Sequence, residues 1–194
     1  MADIRIPTYP VDNIRCNKYI DFMARDILSE LKQKKPFTSK EEELFLNLIR
    51  TADQLQRSFV ELLKTADLSQ TQYNVLRILR GAGDNGMACG EIGDRMVTRD
   101  PDITRLLDRL EKRGLVSRNR EKEDRRVVTA RIAPAGLELV RKLDEPVTQM
   151  HRAQLGHIEP KQQEILIRLL ESARTHLAAA MATATEKPAQ PKTT

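Results

Sequence analysis

Apolar positions recur at helical spacing along most of this 194-residue chain. Residues 1 to about 12 hold two prolines and no clear period, so they read as an extended arm. From Asn13 to about Lys34, the spacing of Tyr19, Phe22, Met23, Ile27, Leu28 and Leu31 predicts an amphipathic helix. KQKKPF closes it, because the residue before a proline avoids helical geometry. Leu44, Leu48, Ala52, Leu55, Phe59, Leu62 and Leu63 continue at intervals of three and four to about Ala66. That stripe predicts a long helix, and its acidic first turn, Glu41 to Glu43 after Thr38-Ser39, suits the positive end of the helix dipole.

Ser69 and Gln72 form a capping box ahead of the next helix, where Tyr73, Leu76 and Leu79 are backed by Val75 and Ile78. Gly81, Gly83 and Gly86 are expected to break that helix. Residues 88–96, ACGEIGDRM, predict a short helix anchored by Ile92 and Met96. In the stretch after it, Asp100 is the expected N-cap, Pro101 suits the first helical position, and Ile103, Leu106, Leu107 and Leu110 form an apolar stripe. Gly114 is placed to stop this helix. Val128, Ala130 and Ile132 then alternate with Thr129 and Arg131, which is strand spacing. Between helix and strand lies NREKEDRR, charged and free of apolar residues. Helix, helix, strand, charged hairpin, strand is the order of a winged helix-turn-helix. Beyond it, Leu137, Val140, Leu143, Val147, Met150 and Leu155 predict a helix that Pro146 kinks or interrupts. A last helix from about Lys161 carries Ile165, Leu166, Leu169, Leu170, Ala173 and Leu177, and the short-side-chain tail ATATEKPAQPKTT is expected to be disordered.

The fold class is therefore mainly α with a small β-hairpin wing, a winged helix-turn-helix flanked by dimerisation helices. The expected organisation is an N-terminal arm and extra helix over 1–40, a dimerisation helix over 41–67, the DNA-binding module over 68–133, C-terminal dimerisation helices over 134–181 and a tail over 182–194. The flanking stripes carry the dimer expectation. In a monomer they leave apolar patches larger than soluble proteins tolerate, and a two-fold dimer of interdigitated terminal helices covers them, the alternative being an intramolecular bundle on one side of the winged helix.

Charge sharpens this picture. Residues 95–131 carry 12 Lys/Arg against 7 Asp/Glu, an excess equal to the formal net charge of +5 for the whole chain. A focused basic surface in such a protein points to a polyanion such as DNA. Aromatics make up 4% of the chain and Trp is absent, which argues against single-strand binding on stacked rings. Cys16 and Cys89 stand far apart with no CxxC, and His151, His157 and His176 share no i, i+4 spacing, so neither a disulfide framework nor a metal site is expected. No Gly-rich phosphate loop, HExxH or GxSxG occurs, which leaves an enzyme reading without a site. MADIRIPTYP lacks a basic region followed by an apolar core, and no apolar run approaches the roughly 20 residues that span a bilayer. The expected location is cytoplasmic, with no membrane partner.

The run LSQTQYNVLRIL, then EIGDRM, ITRLLDRLEKRGLVSR, DRR and RIAPAG resembles the MarR family of bacterial transcriptional regulators. The resemblance covers residues 41 to about 180 and is most specific over 102–136. Ala133 departs from the Thr common in the family before the helix after the wing, and the 40-residue lead-in is longer than usual. The resemblance implies a homodimer on double-stranded DNA with an inverted-repeat operator, released by a small-molecule effector or an oxidant.

By position, Arg99, Asp102, Thr104, Arg105 and Arg109 lie at or near the exposed face of the recognition helix. Arg99 and Arg105 are suited to guanine, and Asp102 to cytosine N4. In the wing, Arg126 matches the Arg of the family's DxR and is the expected minor-groove residue, with Asp124 orienting it. Arg120, Lys122 and Arg125 are expected phosphate contacts. The implied effector pocket lies between the dimerisation helices and the winged helix, with Phe59, Tyr73 and Met150 as candidates. Two alternatives remain at this point: a thiol-based redox-responsive regulator using Cys16 or Cys89, and a weakly specific DNA architectural protein.

Overall fold

The computed structural model describes residues 26–98, 102–120 and 128–185. Those up to Gln154 form one compact unit and those from Leu155 a second.

In the first unit, α1 (Ile27–Glu30) is a single turn capped by Asp26, whose Oδ1 accepts from the Ser29 amide at 2.7 Å. It ends four residues short of the expected Lys34. Lys32 takes a left-handed backbone (φ 52°), with the Lys32 amide bonded to the Ser29 carbonyl and the Gln33 amide to that of Leu28, a Schellman closure. The part of this expected helix before Asp26 lies outside the described residues, as does the N-terminal arm.

Helix α2 (Lys40–Lys64) starts directly after Thr38-Ser39, ahead of the acidic first turn: Ser39 Oγ accepts from the Glu42 amide at 3.2 Å, while Glu42 reaches back to the Thr38 amide and hydroxyl. Asp67, at φ 51°, closes its far end in the same Schellman pattern. Helix α3 (Gln70–Ala82) opens on the predicted capping box, with both reciprocal bonds between Ser69 and Gln72 formed. Gly81 does not break it. The helix continues one residue further and stops at Gly83, where φ turns positive. A lone glycine in a helix costs only about 1 kcal/mol, which the burial of Val75, Leu76 and Leu79 on the same helix outweighs.

A two-residue strand that the sequence pattern missed, β1 (Met87–Ala88), precedes α4 (Cys89–Arg95). Helix α5 (Ile103–Lys112), β2 (Val116–Arg120) and β3 (Val128–Ile132) follow. The sheet is antiparallel in the order β1-β3-β2, with Val116 opposite Ile132, Arg118 opposite Ala130, and Met87 opposite Ala130 on the other edge. Gly86 leads into β1 at φ 70°, and a Cβ there would lie 2.5 Å from the Ala130 carbonyl oxygen. Only glycine lets β1 pair this closely.

Helix α6 (Pro134–Leu155) is continuous through Pro146, so of the expected kink or interruption the interruption does not occur. Proline removes one backbone donor, but Pro146, Val147 and Met150 are buried in the core and hold the turn in place. The core joins Leu62 and Leu63 of α2, Leu76 and Leu79 of α3, Ile92 of α4, Leu107 and Leu110 of α5, Ala130 of β3, and Val140 and Leu143 of α6. The segment from α3 to β3 is thus built onto α2 and α6 by shared burial.

The second unit contains α7 (Pro160–Thr185), which runs a few residues into the segment expected to be a tail. Residues 186–194 lie outside the described residues. Ile165, Leu166, Ile167, Leu169 and Leu177 of α7 are exposed, as are Leu44, Phe45, Leu48 and Ile49 of α2. No helix among the described residues is long and apolar enough to cross a membrane.

Candidate nucleic-acid interface and cavity

Helix α5 has two unlike faces. Leu106, Leu107 and Leu110 are buried, whereas Thr104, Arg105, Arg109 and Lys112 are exposed. Arg105, Arg109 and Lys112 follow at i, i+4 and i+7, so three cations share one outward stripe. The helix starts later than the sequence pattern predicts. Its N-cap is Asp102, not Asp100: Asp102 Oδ1 accepts from the Arg105 amide at 2.9 Å, and Oδ2 lies 3.4 Å from Arg105 Nε. One oxygen of the residue expected to read cytosine therefore satisfies the first turn of the helix. Gly114 closes the helix as expected, at φ 69°, with the Leu115 amide bonded to the Leu110 carbonyl at 3.0 Å.

The remaining DNA candidates divide by position. Arg99, Lys122, Asp124, Arg125 and Arg126 lie outside the described residues, as do Asp100 and Pro101. Arg120 ends β2 opposite Val128, and nothing is described of its side chain.

Three other cations of the basic window are committed to the protein itself. Arg113 donates to the backbone carbonyls of Asp67 and Ala66 at the α2–α3 corner. Arg131 Nε donates to the Asp84 carbonyl at 3.0 Å. Arg118 of β2 places Nη2 2.6 Å from Glu111 Oε2 and 2.5 Å from Asp108 Oδ1 on α5, and its amide donates to Glu111 Oε1 at 3.0 Å. The Glu111 carboxylate, with Asp108 adding to it, raises the Arg118 pKa above its ordinary value against the opposing effect of burial. The sequence reading missed this brace. Its signal was strand alternation: Arg118 is two residues from the buried Val116, so it shares the inward face of β2.

A cavity of about 150 Å³ is lined by Phe59, Gln70, Tyr73, Asn74, Arg77, Val97, Thr98, Val147 and His151. Phe59 and Tyr73 meet edge to face at 5.5 Å, His151 lies 6.2 Å from Phe59, and the Arg77 guanidinium sits 6.0 Å from the Tyr73 ring centre. Two of the three pocket candidates are thus brought together. Met150 is instead buried in the core, and its neighbour His151 faces the cavity. Asn74 Oδ1 accepts from the Val97 amide at 2.8 Å, which fixes the cavity wall to the segment leading towards α5. Cys89 is half-buried, and burial pushes its thiol pKa up, away from the thiolate form. Cys16 lies outside the described residues.

A profile of the MarR family matches residues 68–128. The crystal structure of a MarR transcription factor from Planctomyces limnophilus is 46% identical, covers 70% of this chain and 98% of that one, and superposes with a TM-score of 0.56. The chain belongs to the MarR family. The HTH-type transcriptional repressor IacR of Pseudomonas putida is 28% identical over 132 residues, which cover 68% of this chain and 78% of IacR. A structure of Bordetella bronchiseptica BpsR, described by the regulation of its DNA binding by 6-hydroxynicotinic acid, shares the fold at 20% identity, with a TM-score of 0.61 and coverage of 68% and 98%. As a MarR-family member this protein is a DNA-binding transcription regulator of the winged-helix type and not an enzyme. In the winged-helix order α5 is the second helix of the helix-turn-helix and β2–β3 the hairpin that follows it.

Proposed function

We propose that this MarR-family regulator is a homodimeric, sequence-specific repressor whose hold on an inverted-repeat operator is released by a small molecule. The observation that carries the DNA reading is the two-faced α5, with leucines buried on one side and Thr104, Arg105 and Arg109 exposed on the other. An N-terminal turn of such a helix fits the major groove, where Arg105 bonds guanine O6 and N7. Asp102 acts first as the cap that orients this turn, and cytosine N4 is the base donor its carboxylate suits. Arg99 belongs to the same surface by sequence position. In the wing Arg126 enters the minor groove with Asp124 behind it, and Arg120, Lys122 and Arg125 hold phosphates.

The dimer reading rests on the exposed apolar stripes of α2 and α7, which a second copy covers. The effector reading rests on the cavity, whose walls are aromatic and apolar with a few polar groups, and which includes Val97 and Thr98 just ahead of α5. The names of IacR and BpsR support a repressor and a small-molecule signal respectively. No observation favours the thiol switch, since the one cysteine described has its thiolate disfavoured.

The test is a gel-shift titration with the duplex upstream of the protein's own gene, in the presence and absence of random competitor DNA. Retention of the shift at physiological salt under a large excess of competitor supports a specific regulator. Equal loss to both DNAs removes specificity and leaves the architectural reading.

A further inference from the structure

The acids of α5 pose a question that the DNA reading alone does not answer. Asp108 and Glu111 sit on a helix meant to approach a polyanion, where each weakens attraction to phosphate. Both carboxylates converge on one guanidinium. Arg118 bonds Glu111 through Nε at 3.0 Å and Nη2 at 2.6 Å, and Asp108 through the same Nη2. Glu111 also accepts the Arg118 backbone amide, so the side chain of a helix residue takes over a strand donor. Arg118 is about one-fifth exposed, which screens the brace from solvent more than an ordinary surface pair. Its two partners lie three residues apart on one element and it lies on the other, so the contact fixes both the distance and the rotation between helix and strand. A planar fork does this and a single ammonium does not.

We infer that Arg118 is a positioning residue for DNA binding: clamped by Asp108 and Glu111, it sets the wing against the recognition helix so that both engage one operator half-site together. This rests on the assignment of α5 and the wing to DNA. Arg118 itself contacts no phosphate, although it belongs to the basic window.

The two roles predict opposite signs. Replacing Glu111 with methionine removes an acid near DNA, which on charge alone tightens binding to any duplex. If Glu111 serves the clamp, the same change weakens operator binding. The experiment compares wild type, Glu111→Met and Arg118→Lys by thermal melting and by anisotropy titrations with the upstream duplex and a random duplex over a range of salt. The expected result is that both folded variants lose about tenfold or more in operator affinity. Their operator salt slope falls by about one unit as wing phosphate contacts are lost, and their random-duplex affinity falls by less than their operator affinity. Arg118→Lys keeps the charge, so a residue that merely touched phosphate would keep both affinity and slope. Wild-type operator affinity in Arg118→Lys overturns the inference, as does tighter operator binding by Glu111→Met. A lower melting temperature with affinity and slope retained in the folded fraction assigns the clamp to stability alone and also overturns it. If Glu111→Met does not fold, Arg118→Lys decides. Failure of the wild type to prefer the upstream duplex overturns the functional reading first, and the inference with it.

Discussion

Gly136→Ala tests how the recognition helix is joined to the rest of the first unit. Gly136 lies in the first turn of α6, and a Cβ there would stand 2.2 Å from the Leu115 carbonyl oxygen and 3.1 Å from Ile132 Cγ1. Packed non-bonded atoms sit about 3.5 Å apart, so the chain after α5 must retreat by about 1 Å or α6 must tilt. The same Leu115 oxygen accepts from the Ala133 amide at 3.0 Å, and that bond lengthens with the retreat. Overpacking costs about 1–3 kcal/mol and the impaired hydrogen bond about 1 kcal/mol, against about 1 kcal/mol gained from alanine's better helix propensity. The expected net loss is about 2 kcal/mol, or about 4–8 °C in melting temperature for a chain of this size. Gly90→Ala in α4 is the control. Nothing lies within 4 Å of its added Cβ, so it is expected to be neutral or stabilising. The assay is thermal melting by circular dichroism at one fixed protein concentration, because a dimer's melting temperature depends on concentration. If Gly136→Ala melts at or above the wild-type temperature, the close approach of α6 to Leu115 is wrong.

Other outcomes follow from the same geometry. Arg105→Ala is expected to weaken operator binding by about tenfold or more, within the ~1–3 kcal/mol that one base-reading arginine carries, with melting unchanged; anisotropy titration reads it. Arg126→Ala is expected to weaken operator binding markedly and leave the dimer intact, and an unchanged gel shift would remove the wing from the interface. Ser69→Ala destroys the capping box of α3 and is expected to cost about 1 kcal/mol in urea unfolding, with the slope of the transition unchanged. Leu169→Glu charges the exposed stripe of α7 and is expected to shift the sedimentation coefficient towards monomer; unaltered sedimentation would place the dimer contact elsewhere.

Local signals made most of the helices legible in the sequence. The Ser69–Gln72 box and Gly114 each act within four residues of themselves, and each holds in the structure. Where two local signals competed, tertiary packing decided. DPD offers two capping acids, and the proline between them favoured Asp100, yet the turn is closed by Asp102 onto the Arg105 amide. Pro146 and Gly81 are helix breakers by propensity, but each sits in a helix whose neighbouring side chains are buried. Strand β1 has two residues, too few to show a period, and exists only because β3 pairs with it. The cavity was half legible: aromatic type singled out Phe59 and Tyr73, but His151 joins them from α6, and no local pattern records which side of α6 faces Phe59.

The charge of the recognition region is also divided in a way that composition hides. Its excess of five positive charges looks like a uniform basic patch, but the residues do three different things. Arg113, Arg118 and Arg131 are spent on carbonyls and carboxylates inside the module, and Asp108 and Glu111 share the one guanidinium of Arg118. Asp102 is a cap whose contact with Arg105 Nε is exposed and 3.4 Å long, weak enough to yield to a base or phosphate. Once these residues are assigned, the outward stripe of α5 presents Arg105, Arg109 and Lys112 with no uncommitted acid of α5 beside them. The cations of the window therefore divide between that outward stripe and the braces inside the module, and Asp108 and Glu111 serve the contact between helix and wing.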